Sequence, residues 1–380
     1  MTASHLFSPL NIGTHTLANR IMISPMCQYS AENGSATDWH LTHLSSLAIS
    51  GAGLLFVEAT AVNPEGRITA GCLSLCNDDN QAALKKVVDT IRSLSPIKLA
   101  IQLGHAGRKA SSQRPWEGGA LMPLDQGGWQ TVGPSALPHM PNEAPPLAMT
   151  AKDIEQVIAD YVATTKRAKA LGFDVIEVHM AHGYLLHEFL SPLANHRTDE
   201  FGGSLENRMR LPLQIFQAVK EAAGKDIAVG ARLSATDWVD GGWDLNQSIT
   251  LSKRLQELGA DFLDISSAGV SPQQTAGVSP QQKIAIGPGY QVPFAEAIKK
   301  TVSIPVMAVG MITEAQQAEE ILQKKQADII AIARGFMNDP RWPWRAAGVL
   351  GGTVAAPKQF YRCLPSGSPK IFGDVFTAQR

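Results

Sequence analysis

The chain has 380 residues, 44% of them hydrophobic and 18% charged, with a formal net charge of −1. Such a composition supports a sizeable core and excludes a disordered chain. Acidic and basic residues are spread evenly, with no basic run, so neither a nucleic acid nor a membrane surface is expected as a partner.

The amino terminus, MTASHLFSPLNIGTHTLANR, lacks a basic start followed by an apolar segment, so no signal peptide is expected. The first apolar run predicts a strand at 21–24, followed by a helix over 39–49. A strand at 54–59, a helix at 80–93 and a strand at 98–102 come next. Residues 104–150 break the rhythm, being rich in Gly, Pro, Ser and Trp. A connection of that length is usually functional, and it is expected to shape or cover a binding site. The alternation then resumes: helix 151–170, strand 175–179, helix 205–223, strand 227–232, helix 245–258, strand 262–266. Helix 292–300, strand 306–309, helix 314–324 and strand 329–333 complete it.

Eight apolar, β-branched runs alternating with amphipathic segments predict a (β/α)₈ TIM barrel, an α/β fold, with an extended loop after strand 3 and a C-terminal tail. Residues 1–362 are expected to form one barrel domain and 363–380 a C-terminal extension packed on the barrel or on a partner subunit. LGFDVIEV (171–178), LGADFLDI (258–265) and QADIIAIA (326–333) share a plan of helix end, turn, acidic residue and apolar strand. An echo of this kind fits one unit repeated around a barrel. No run approaches the roughly 18 apolar residues of a spanning helix. The four cysteines, Cys27, Cys72, Cys76 and Cys363, are too sparse for a disulfide scaffold. Cys72 and Cys76 are close in sequence but have no second pair, so reduced thiols, no metal and a cytoplasmic location are expected.

Barrel active sites lie at the carboxyl ends of the strands, which singles out the polar residues closing each run. Cys27 and Tyr29 follow the first, Gln102 and His105 the third, His179, His182 and Tyr184 the fourth, Arg232 the fifth and Arg334 the eighth. Three readings of His179 and His182 stay open. They are part of a metal site that needs a third ligand, or structural residues, or two N–H donors aimed at one substrate oxygen. Tyr184 is a candidate proton source, since a phenol holds its proton at neutral pH; core or surface packing is the alternative. Arg334 stands where barrels bind phosphate, and Gly310 would let backbone N–H groups approach the same anion. Arg232 would put a positive charge at mid-mouth, beside an electron-rich ring. A salt bridge is the alternative for either arginine. GAGLLF (51–56) lacks the third glycine of a dinucleotide fingerprint and precedes a strand, so no Rossmann domain is expected.

A longer, ordered set of motifs runs through the chain: SPMCQYS (24–30), DWH (38–40), EATAV (58–62), EGRIT (65–69), QLGHAGRKAS (102–111), HMAHGYLLHEFLSPLANHRTDEFGGSLENR (179–208), GPGYQVPFAE (287–296) and AVGMI (308–312). In these the sequence resembles the old yellow enzymes, and among them the thermophilic-like class that includes xenobiotic reductases. The resemblance implies tightly bound, non-covalent FMN, with NADPH or NADH as a transient hydride donor. It implies reduction of activated alkenes such as α,β-unsaturated carbonyls; a reductase of nitro compounds or another conjugated xenobiotic is the alternative. It assigns His179 and His182 to the substrate oxygen, Tyr184 to proton donation, Cys27 to modulation of the flavin and Tyr29 to the substrate pocket. Ser24, Pro25, Met26, Cys27, Ala59, Gln102, Arg232, Ser267, Gln291, Gly310, Arg334 and Gly335 become flavin or phosphate contacts. Arg362, in KQFYR, resembles an arginine that reaches a neighbouring subunit's site, which implies a homodimer or homotetramer. Two departures stand out. The chain continues past Arg362, and Met311 occupies a place where other members carry an aromatic residue.

Overall fold

The computed structural model describes residues 4–272 and 284–375. Residues 376–380 of the expected extension lie outside the described residues.

Eight strands close a barrel: β1 (Ile21–Ile23), β2 (Leu54–Ala61), β3 (Lys98–Gly104), β4 (Val175–Met180), β5 (Ala228–Ser234), β6 (Phe262–Ser266), β7 (Val306–Ala308) and β8 (Ile329–Ile332). Every neighbouring pair is parallel, and β8 pairs with β1 to complete the ring. The expected helices are α1 (Asp38–Ala48), α2 (Asp78–Leu94), α3 (Ala151–Leu171), α5 (Leu205–Ala223), α6 (Leu245–Glu257), α7 (Val292–Lys299) and α8 (Ala315–Gln323). Three more were not anticipated: α4 (Leu185–Leu190), α9 (Arg334–Asn338) and α10 (Trp342–Leu350). Each is short or irregular at its ends, which leaves little periodicity to read.

The repeated motif has a physical meaning. Gly172 and Gly259 end α3 and the turn after α6 with φ of +82° and +85°, and Lys325 takes the same left-handed turn at +55°. The acidic residue that follows reaches sideways to the preceding strand. Asp174 accepts the N–H of Leu99 at 2.8 Å, Asp261 that of Val229 at 2.7 Å, and Asp328 that of Val306 at 3.0 Å. Lysine or arginine neighbours pair with the same carboxylates. The echo is therefore a register pin between neighbouring strands.

Two apolar layers result. The larger lies between the barrel and its helices. The smaller fills the amino-terminal half of the barrel with Met22, Leu54, Phe56, Ala100, Val175, Phe262, Met307 and Ile329. A hairpin absent from the sequence expectation, Leu10–Ile12 paired with His15–Leu17, seals that end with Ile12 and Leu17. The segment after α10 folds back on the helix that precedes it. Trp344 meets the rings of Phe360 and Phe372, and Ile371 packs with Val354 and Ala347. The excursion after β3 is mostly irregular, tied by a two-residue pairing of Val132–Gly133 with Leu147–Ala148. It encloses a cavity of about 920 Å³ that has Tyr29 and Lys109 in its wall. Among the described residues, no helix is long and apolar enough to cross a membrane.

Candidate active site

Alternate residues of a strand share a face, and inside this barrel that face changes character from bottom to top. On β4 the series is Val175, Glu177, His179; on β6 it is Phe262, Asp264, Ser266; on β3, Ala100 is followed by Gln102. The lower members are apolar. The upper ones form a buried polar layer in which Gln102 Nε2 donates to Glu177 Oε1 at 2.7 Å. Arg232 Nε lies 3.1 Å from Asp264 Oδ2, both side chains being buried. Desolvation, with Asp264 next, pushes the Glu177 carboxyl well above its usual range. Burial likewise raises Asp264, with Arg232 opposing it. The layer therefore holds one fixed positive charge and carboxyls that resist ionisation.

The turn after β4, HMAHGY, rises from this layer. His182 takes a left-handed φ of +61°, uncommon outside glycine, and its surroundings hold it there. Its main-chain N–H donates to Ser234 Oγ at 2.9 Å, and Lys109 Nζ donates to its carbonyl at 2.8 Å. A Cβ on Gly183 would come within 1.9 Å of Gly269 O, so the turn after β6 sits directly against this one. Beneath it, His187 Nδ1 accepts the Gly183 N–H at 2.9 Å, and His187 Nε2 faces Asp237 Oδ1 at 3.0 Å. Ser191 Oγ also donates to Asp237.

The rings of His179 and His182 meet edge to face at 5.2 Å, and Tyr184 stands edge-on to His179 at 5.1 Å. Burial, reinforced by Arg232, holds both imidazoles well below their usual titration range. They are neutral at physiological pH. Ala181 N–H donates to His179 Nδ1 at 3.2 Å, so the single ring proton sits on Nε2. Burial raises the Tyr184 phenol well above its usual range, so it keeps its proton. Burial also lowers Lys109 to about 8; its Nζ lies 5.0 Å over the Tyr184 ring.

Cys27 stands near a pair of residues that sequence reasoning passed over. The Cys27 and Cys72 sulfurs and a Glu58 carboxylate oxygen all lie within 4.8 Å of one another. Cys72 thus faces Cys27, while Cys76 contacts Asn77 and Asn80. The Cys72 contact, burial and Glu58 together push the Cys27 thiol up. Glu58 is itself held by His40: Thr37 N–H donates to His40 Nδ1 at 3.0 Å, which leaves Nε2–H to face Glu58 at 3.2 Å. Tyr29, at φ +53°, stacks edge-on against Trp116 of the excursion at 5.7 Å.

The remaining candidates line the same mouth or its rim. Ser24 follows β1, and its Oγ is buried without a hydrogen-bond partner. Pro25 and Met26 continue from it, half-buried. Ala59 marks an irregularity in the β2–β3 register. Gln102 spends its N–H on Glu177, which leaves its amide oxygen as an acceptor. Ser267 Oγ donates to Gln291 Oε1 at 2.6 Å. Gly310, φ +128°, leaves β7 where an added Cβ would meet Gln291 at 3.1 Å. Arg334 and Gly335 follow the adjacent β8; Arg334 is exposed and its guanidinium makes no hydrogen bond among the described residues. This set fits FMN. An unpaired arginine beside a glycine turn suits phosphate. Arg232, an open amide oxygen and an orphaned serine hydroxyl suit a polar, electron-accepting ring. Arg362 stands apart, exposed after the turn Lys358–Phe360.

Glu58, Cys72, Lys109, Glu177, Asp237, Asp264 and Ser266 were not among the sequence candidates. Glu177 and Asp264 carried a usable signal, because each is a carboxyl within an otherwise apolar run and two residues before a mouth residue. Glu58 is likewise a carboxyl within an apolar strand and Ser266 closes one, but neither is marked until its partner arrives from another element; Cys72, Lys109 and Asp237 lie outside the strands and carried no signal.

Residues 5–350 match the model of the NADH:flavin oxidoreductase / NADH oxidase family. The NADPH dehydrogenase of Listeria innocua is 43% identical over 361 residues, covering 94% of this chain and 99% of that protein. The NADPH dehydrogenase of Bacillus subtilis is 41% identical over 362 residues, covering 95% and 99%. Among solved structures, morphinone reductase superposes with a TM-score of 0.75 at 27% identity, covering 94% of this chain and 92% of its own. A 2-naphthoyl-CoA reductase does so with a TM-score of 0.80 at 26% identity, covering 90% of this chain and 52% of that one. The chain belongs to the NADH:flavin oxidoreductase / NADH oxidase family, as an FMN- and NAD(P)H-dependent oxidoreductase of the old yellow enzyme type.

Proposed function

We propose that this enzyme reduces activated carbon–carbon double bonds, with α,β-unsaturated carbonyl compounds as acceptors. FMN held at this mouth would supply the redox chemistry, hydride transfer between NAD(P)H and the β-carbon of the acceptor. Ser24, Gln102 and Arg232 would hold the ring, and Gly310, Arg334 and Gly335 the phosphate. The observation that carries the proposal is the pairing of two neutral imidazoles with a protonated phenol at one mouth. His179 and His182 donate to the acceptor oxygen and draw electron density from the β-carbon, as oxyanion donors do. Tyr184 delivers its proton to the α-carbon. Lys109 Nζ lies 5.0 Å over the Tyr184 ring, where its positive charge would stabilise the phenolate until solvent returns the proton. Arg362 is read as a contribution to a neighbouring subunit's site in a homodimer or homotetramer.

The test is anaerobic absorbance. The purified enzyme is reduced with NADPH and then mixed with 2-cyclohexen-1-one. The flavin spectrum should bleach and then return as cyclohexanone forms. Bleaching without return on any enone, but with return on a nitro compound, would replace the proposal with the nitroreductase reading. Tyr184→Phe should slow reoxidation by the enone about 10²–10⁴-fold, the usual worth of a positioned general acid. Reduction by NADPH should change far less; equal loss in both steps would remove the phenol from proton transfer.

A further inference from the structure

His182 can donate to an acceptor oxygen only if the nitrogen facing that oxygen carries the ring proton. A neutral imidazole has one N–H, so its tautomer decides between donor and lone pair. His182 Nε2 lies 2.7 Å from Ser266 Oγ. The Ser266 hydroxyl has one proton and two acceptors within reach, His182 Nε2 at 2.7 Å and Gln291 Oε1 at 3.3 Å. Gln291 Oε1 is already served by Ser267 Oγ–H at 2.6 Å. The amide is oriented by Gln291 Nε2 donating to the Val309 carbonyl at 3.2 Å, so its oxygen stays toward the serines. The shorter contact, to His182, offers the Ser266 proton its closer acceptor.

We propose that Ser266 is a positioning residue that fixes the tautomer of His182: Ser266 Oγ–H donates to Nε2, and the ring proton is held on Nδ1 as the donor offered to the acceptor. The ene-reductase reading enters only in naming the oxygen that receives this donor. His179 reaches the complementary state by a different route, since the Ala181 N–H at its Nδ1 leaves the proton on Nε2. The pair thus offers N–H groups from opposite ring nitrogens, each secured by a donor behind the ring. This is the logic by which an outer partner fixes a histidine bound to metal, applied to an organic acceptor. Without the Ser266 hydroxyl, His182 divides between tautomers, and one of them turns a lone pair toward the acceptor oxygen.

The experiment is NMR of the FMN-loaded enzyme with ring-¹⁵N-labelled histidine, because protonated and bare ring nitrogens differ strongly in shift. The His182 signal is assigned by its loss in His182→Gln. The parent enzyme should show Nδ1–H, Ser266→Ala a mixture or the Nε2–H form, and Ser266→Thr a return to Nδ1–H. Ser266→Ala should also weaken 2-cyclohexen-1-one binding about tenfold, the scale of one hydrogen bond, with recovery in Ser266→Thr. An Nε2–H form in the parent enzyme overturns the proposal, and so does an unchanged tautomer in Ser266→Ala. The tautomer is read without acceptor. A parent enzyme with Nδ1–H that leaves enones untouched would therefore sink the ene-reductase reading alone.

Discussion

The lower and upper halves of the barrel interior are built on the same strands, yet they do opposite work. Below, Phe56, Val175, Phe262 and Ile329 pack against the hairpin residues Ile12 and Leu17 with no polar side chain among them. Above, Glu177 and Asp264 are as buried as those residues and Arg232 nearly so; Arg232 Nε and Asp264 Oδ2 face each other at 3.1 Å, while Glu177 Oε2 and Asp264 Oδ1 have no hydrogen-bond partner among the described residues. Burying polar groups without full satisfaction costs stability. The difference teaches that one end of this barrel holds the fold together, and that the other keeps its polar groups at the end where a ligand binds.

Substitutions in the two halves should therefore separate stability from chemistry. The largest effect is expected for Phe262→Ala in the lower half, about 3–5 kcal/mol of lost stability from the cavity it leaves. Urea unfolding reads this directly, and a loss below about 1 kcal/mol would mean the lower layer is not the anchor. In the upper half, His179→Ala should slow the acceptor step about 10²–10³-fold, the scale for one lost oxyanion donor. Its unfolding midpoint should stay close to the parent's; a large drop would place His179 among the structural residues.

The smallest effect concerns pH. Burial, then Asp264, raises the Glu177 carboxyl above its unfolded value. A group raised in this way contributes stability that is fully present below the unfolded carboxylate range and is lost as pH rises through the folded value. Relative to a variant that cannot ionise at this position, the parent should lose stability as pH climbs out of the acid range. Glu177→Gln cannot ionise, so its stability should fall less over the same span. Parallel pH curves for the two proteins would show that the Glu177 carboxyl is not raised in the fold.

The upper layer was only half legible in the chain. His179, His182, Tyr184, Arg232 and Gln102 could be picked out because each closes an apolar run, and strand ends face the mouth in a barrel. Ser266 also closes a run, but a serine there says nothing until His182 arrives from another strand. Cys72 was set beside Cys76 by spacing, whereas the fold sets it beside Cys27. The hairpin at 10–17 escaped notice because three-residue strands hold too few side chains to show a period.

What the sequence determined by itself was the repeating unit. Apolar runs of strand length, helices with polar outer faces and an aspartate at each repeated turn leave one economical architecture, since parallel strands must be covered on both sides. The motif set then specified the family, because those residues occur in one order along the chain. The tertiary structure alone decided protonation and pairing. Whether an imidazole is neutral, which of its nitrogens bears the proton and which thiol a cysteine meets depend on burial and on neighbours brought from distant strands, and spacing along the chain does not encode them.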